Sequence, residues 1–201
     1  MVNKRIIKEI DKAIKEIWKN EIAEDYIEKY LLREDSLKSA LYFHMRNRLD
    51  DLLYENNMRI FTEYWISSLK YRADMVIVKV ENPDDYAYIA DAVTDIVAVI
   101  ELKYKANGDE ATAAEIKQDI WKFKDYVQVG GMTETQFYFG VIYEVDCDYL
   151  QWMDNRSINN WADGRVTELD AGYIDDEILF EVHSYNGMNK SLNDKGAFSS
   201  K

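Results

Sequence analysis

A single cysteine, Cys147, in 201 residues rules out a disulfide framework and a cysteine-based zinc site, a pattern that fits a reducing compartment. Two histidines, His44 and His183, are too few for a histidine-rich metal site. No apolar run approaches the roughly 18 residues that a membrane-crossing helix needs, and the N-terminus lacks the apolar core of a signal peptide. A cytoplasmic protein with no membrane partner is therefore expected. Positive charge is also short: 25 Lys and Arg against 38 Asp and Glu give a formal net charge of −13. An averaged field of that sign repels nucleic acid. A nucleic-acid site on this chain would have to be a local basic cleft acting within a Debye length of about 8 Å.

What is present is ample apolar material, 47% of residues, enough for one sizeable core. Its most concentrated stretch is Ile96-Val97-Ala98-Val99-Ile100 followed by Glu101-Leu102-Lys103. Such a run reads as a strand covered on both faces. Side chains alternate along a strand, so Glu101 and Lys103 emerge on one face, about 6.7 Å apart along the backbone. A second β-branched run, Met75 to Val80, begins at Asp74. If the two strands are neighbours, two acids and a lysine converge at one end of a sheet. Another Glu-x-Lys, Glu115-Ile116-Lys117, lies in a segment of helical period, where residues two apart do not share a face.

Asp74, followed after a hairpin by Glu101-Leu102-Lys103, resembles the PD-(D/E)xK nuclease superfamily, with Ala73 standing where the family's name puts proline. The resemblance covers about residues 30–145. It implies a restriction-endonuclease-like α/β sandwich with an αβββαβ core, and metal-dependent cleavage of nucleic acid, with DNA the expected substrate. It also implies Mg²⁺ or Mn²⁺ held by Asp74, Glu101 and the backbone carbonyl of Leu102, with Lys103 completing the catalytic set. Glu34 matches the further acid that the first core helix supplies in that family, and it equally suits an ordinary acid at a helix N-terminus. Lys117, Gln118 and Lys122 are substrate-binding candidates on the following helix. Lys122 stands where the family's exonuclease-like branches carry tyrosine, and Gln118 points away from the apolar stripe.

One domain over 1–185 is expected: helices in 1–32, the core in 33–145 and a β-rich extension in 146–185. Ile6, Ile7, Ile10, Ile14, Ile17 and Trp18 form the stripe of an amphipathic helix over 3–20, and 22–32 is a second helical stretch. Asp35 or Ser36 caps a third helix reaching about Tyr54, with Leu37, Leu41, Met45, Leu49, Leu52 and Leu53 inward. Strands follow at 58–66, 74–80 and 96–104, the last two joined by a long connection holding the only proline, Pro83. A helix over 109–128 and a strand over 136–145 complete the core. Short strands near 166–169 and 178–183 flank Asp170-Ala171-Gly172-Tyr173, read as a turn. From Asn186 the composition predicts a poorly ordered tail. Lys38, Arg46, Arg48, Arg59, Lys70, Arg72, Lys105 and Lys124 could help to line a basic cleft around the motif. Cleavage of both strands of a duplex by a one-site subunit would call for a homodimer. A competing reading, favoured by the −13 charge, is a non-catalytic acidic binding protein on the same fold: an inhibitor, an immunity-type partner or a nucleic-acid mimic.

Overall fold

In a computed structural model the described residues are 2–106, 110–128, 132–189 and 196–197. They form a mixed α/β structure around one open sheet whose spatial order follows the chain, β1 (Met58–Ile66), β2 (Tyr71–Val80), β3 (Val93–Lys105), β4 (Gln136–Asp146), β5 (Val166–Ile174), β6 (Glu177–Ser184) and the two-residue β7 (Gly196–Ala197). The first three strands are antiparallel, β4 runs parallel to β3 and β5 parallel to β4, and β6 and β7 return antiparallel. Parallel neighbours need a crossover. Helix α4 (Glu110–Gln128) makes the one between β3 and β4, and the segment holding α5 (Asn155–Ser157) makes the next. Among the described residues no helix is long and apolar enough to cross a membrane.

Alternation along β2 and β3 divides the core. Met75, Ile77, Ala98, Ile100 and Leu102 face the layer of α1 (Lys4–Ile17), α2 (Ala23–Ile27) and α3 (Glu34–Glu55). Val76, Val78 and Val99 face Ile116, Ile120, Phe123 and Val127 of α4. A strand buried on both sides has no polar face to spare, which explains the continuous apolar run. The two N-terminal helical stretches are one continuous rod, since a π-turn (Trp18–Ile22) joins α1 to α2. Helix α3 starts earlier than its capping residues suggested. Ser36 sits in the first turn, and its hydroxyl accepts the backbone N–H groups of Leu32 (2.8 Å) and Arg33 (3.0 Å).

Asp170-Ala171-Gly172-Tyr173 is strand, not turn. Gly172 is required there by close approach, because a Cβ would stand 2.8 Å from the carbonyl oxygen of Tyr143 on the neighbouring strand. The turn falls at Asp175 and Asp176, with φ of 51° and 64°; positive φ at both central residues suits a two-residue hairpin.

Residues 186–189, expected to open a loose tail, are instead fastened to α1. Asp11 and Lys15, one turn apart and fully buried, form an ion pair of 2.7 Å. Asp11 also accepts from the Tyr138 hydroxyl (3.0 Å) and the side-chain amides of Asn186 (2.7 Å) and Asn189 (2.9 Å). Lys15 donates to Ser184 Oγ (2.6 Å) and the Met188 carbonyl (2.9 Å). A buried charge is tolerable only with such partners. Composition could not show this, because Asn, Ser and Lys mark a loose tail unless a buried charge needs them. Apart from Gly196–Ala197, the remainder of the expected tail lies outside the described residues. Asp11→Ala strands the Lys15 ammonium without a counter-charge and should cost about 3–5 kcal/mol. Urea unfolding measures this, and a loss within 1 kcal/mol would show that the network does not anchor the segment.

Candidate active site

The pairing of β2 with β3 ends at Met75 opposite Ile100. One residue further on, Asp74 and Glu101 stand where the strands part. The Asp74 side chain supplies the bond that the ladder no longer does: its Oδ2 accepts the backbone N–H of Leu102 at 2.9 Å. Oδ1 lies 3.3 Å from the ammonium of Lys38 on α3. Glu101 is mostly buried, and its Oε1 is sealed from solvent with no hydrogen-bond partner. Burial, and then the neighbouring Asp74 carboxylate, push the Glu101 pKa well above the usual carboxylate range.

Lys103 emerges on the same face as Glu101. Its Nζ is 3.4 Å from Glu34 Oε2 at the start of α3 and 3.9 Å from Asp119 Oδ2 on α4. Burial opposes its charge, but the carboxylates of Glu34, Asp74, Asp119 and Glu101 outweigh it and raise the pKa, so the group is an ammonium. Burial raises the pKa of Glu34, with Lys103 opposing. The structure thus brings Asp74, Glu101, Lys103 and Glu34 to one rim. A cavity of about 240 Å³ opens there, with Asp74, Glu101, Lys103, Arg72, Lys122 and Tyr126 among its lining residues.

The other expected contacts are dispersed. Lys122 reaches the cavity and pairs with Asp119 at 2.9 Å. Gln118 is exposed on α4 outside it, and Lys117 lines a separate groove on the other side of that helix. That groove is larger, about 770 Å³, and places Asp146, Asp148 and Asp154 beside Trp121 and Trp152. Three aspartates facing one lysine oppose a phosphate, so the smaller cavity is the better candidate for phosphodiester chemistry.

Sequence reasoning did not single out Glu63, Asp119 or Tyr126, and counted Lys38 only among many bases. Lys38 lies one helical turn beyond Glu34, on its face. Asp119 and Tyr126 are two turns apart beside the apolar stripe of α4. Tyr126 donates to the Arg72 carbonyl at 3.3 Å, and its hydroxyl adjoins Glu101.

Among the described residues no group of three or more His, Cys, Asp or Glu side chains stands ready to hold a metal ion. The donors at the rim nevertheless fit a hard cation: an orphaned carboxylate oxygen on Glu101 beside the Asp74 carboxylate. Mg²⁺ is commonly held by one or two carboxylates and keeps several waters. No family model, curated protein or solved structure matches the chain.

A second acidic cluster lies across the sheet. Glu168 and Asp170 on β5 pair with His183 and Glu181 on β6. Glu168 accepts the N–H groups of Trp152 (2.9 Å) and Met153 (2.8 Å) and the Tyr185 hydroxyl (2.5 Å). His183 Nε2 is 2.6 Å from the Leu150 carbonyl, 3.2 Å from Glu181 and 3.6 Å from Asp170. These contacts fix the 150–153 segment. Asp170 is fully buried and neither carboxylate oxygen has a hydrogen-bond partner. Burial, reinforced by Glu168 and Glu181, lifts its pKa well above the ordinary value. The native state therefore holds a proton that the unfolded chain releases near pH 4. Stability from this group is complete below that pH and is lost as pH rises towards the folded pKa, by up to about 1.4 kcal/mol per pH unit. Asp170→Asn should remove that slope and be the more stable protein at pH 8. Urea midpoints from pH 4 to 8 test this, and parallel curves for the two proteins would refute it.

Proposed function

We propose that the chain is a metal-dependent nuclease of the PD-(D/E)xK kind, with DNA as the expected substrate. The observation that carries the reading is the unpartnered Glu101 oxygen beside Asp74, on the same strand face as the Lys103 ammonium. The element order supports it: a helix, three antiparallel strands, a helix and a strand parallel to the third follow the restriction-endonuclease-like core.

Asp74 and Glu101, with the backbone carbonyl of Leu102, would hold Mg²⁺ or Mn²⁺. The metal would neutralise the attacked phosphate and lower the pKa of a bound water. The Leu102 N–H fixes the orientation of Asp74. Lys103, being protonated, is suited to orienting the nucleophilic water and to opposing the charge that builds up on the phosphate oxygens. Glu34 and Asp119 hold that ammonium at the rim. Arg72 and Lys122 are exposed cations at the cavity mouth, placed to meet the flanking backbone. The formal charge of −13 favours the second reading, an acidic binding protein in which the same groups form only a charge cluster.

A cleavage assay on single- and double-stranded DNA, with Mg²⁺ or Mn²⁺ and with chelator, separates the two. Metal should raise the melting temperature, because a ligand that binds only the native state stabilises it. Asp74→Asn should abolish the shift, and an undiminished shift would remove the proposed site. Lys103→Ala should stay folded and bind metal at least as well, while cleavage falls by about 10² or more. An unfolded variant, or one cleaving at the wild-type rate, would mark Lys103 as scaffolding.

A further inference from the structure

Lys38 is a second lysine at the rim, its side chain only 14% exposed, 3.3 Å from Asp74 Oδ1. Its other partner is Glu63 on β1, in close contact with the same ammonium. Glu63 has φ of 53°, a left-handed backbone that is costly for a residue with a side chain and is sustained only where the surroundings impose it. It lies between Thr62 and Tyr64, which pair with Met75 and Ala73 on either side of Asp74. The strained residue on β1 thus faces the proposed metal ligand on β2, and Lys38 bridges their two carboxylates. Together with Lys103 and Glu34, charges of alternating sign surround Asp74.

We infer that Lys38 is the resident counter-cation of Asp74, which a divalent metal must displace, and that Glu63 is the positioning residue that receives it. This rests on the metal-dependent reading above. An ammonium and a divalent ion cannot both lie against one carboxylate oxygen without repulsion. Lys38 therefore neutralises the metal-free rim and weakens metal binding. Glu63, already bonded to the same ammonium, offers it a place to go. With Glu63 neutral, Lys38 would commit to Asp74 and compete harder.

The test is Mn²⁺ affinity by isothermal titration on the full chain, with circular dichroism and melting temperature as folding controls. Lys38→Met should bind Mn²⁺ about tenfold more tightly than wild type, the scale of one nearby charge in a partly solvated site. Glu63→Gln should bind more weakly, by about threefold or more. The double variant should behave as Lys38→Met alone, because Glu63 acts through the lysine; a pure field effect of Glu63 would instead persist and the two changes would add. Lys38→Arg keeps the charge and should retain the weak affinity, so it tests the idea even if the methionine variant misfolds. Unchanged or weaker binding in a folded Lys38→Met, or additivity in the double variant, overturns the inference while leaving the metal site standing. If neither wild type nor Lys38→Met binds Mn²⁺, the metal-dependent reading fails and this inference with it.

Discussion

Two carboxylates brought together at the end of a covered sheet are the constraint around which this rim is arranged. Like charges at such a distance repel strongly once water is partly excluded, and the remedies are protonation, a hydrogen-bond donor or a cation. The chain uses all three. Glu101, the deeper of the pair, is pushed towards its neutral form by burial and by Asp74. Asp74 takes the Leu102 N–H and the Lys38 ammonium. Lys103 supplies a second cation, anchored from the side by Glu34 and Asp119.

That arrangement depends on where the strands part. Were β2 and β3 paired one residue further, the Leu102 N–H would be a ladder donor or face the wrong way, and Asp74 would lose its fixed orientation. The sheet is held in register by the alternation of its core: a slip of one residue would turn Val76, Val78 and Val99 away from α4 and bury the charges instead. Packing on both faces thus fixes the position of the acids more firmly than the charges themselves could. After β6 the balance is reversed, and the buried charges of Asp11 and Lys15 tie the segment to α1. Buried polar groups there specify which chain segment covers the helix, since an apolar contact would accept many alternatives.

The strand positions were legible because a strand covered on both faces must be apolar almost throughout, and few segments are. Met58–Ile66, a partly exposed edge strand, coincides with the expected first strand through its aromatic and β-branched content instead, and the α4 stripe of Ile116, Ile120, Phe123 and Val127 is the one the helical period indicates. The meeting of Asp74 and Glu101 at one end of the sheet follows from the sequence because β2 and β3 are neighbours. The hairpin turn was misplaced because glycine was read for its freedom at a position where what matters is its small size, and two aspartates carry the positive φ. Lys38 and Glu63 were not distinguishable: one lies on a helix and the other on an edge strand, and their meeting depends on how α3 packs across the sheet. Only the interval from Glu34 to Lys38 carried a trace of it. No local pattern marks the left-handed conformation of Glu63.

Net charge also reads differently once burial is known. The formal value of −13 counts every acid equally, yet Asp11, Glu168, Asp170 and Glu181 are buried. Asp11 is cancelled at 2.7 Å by Lys15, and burial pushes the pKa values of Asp170 and Glu101 well above the ordinary carboxylate range. A carboxyl that keeps its proton contributes no field. The potential met by an approaching anion comes from the exposed groups, and at the cavity mouth these include Arg72 and Lys122, with Glu63 beside the first and Asp119 beside the second. The acidic excess, concentrated beyond residue 134, is displayed on the far groove by Asp146, Asp148 and Asp154. Exposed charges separated by more than about 8 Å are largely screened at physiological salt. The overall sign therefore lowers the rate at which an anion finds this protein more than it weakens the local contacts made on arrival. An acidic chain is compatible with a rim that carries Arg72, Lys103 and Lys122 so long as the unmatched aspartates stand on the opposite side of α4.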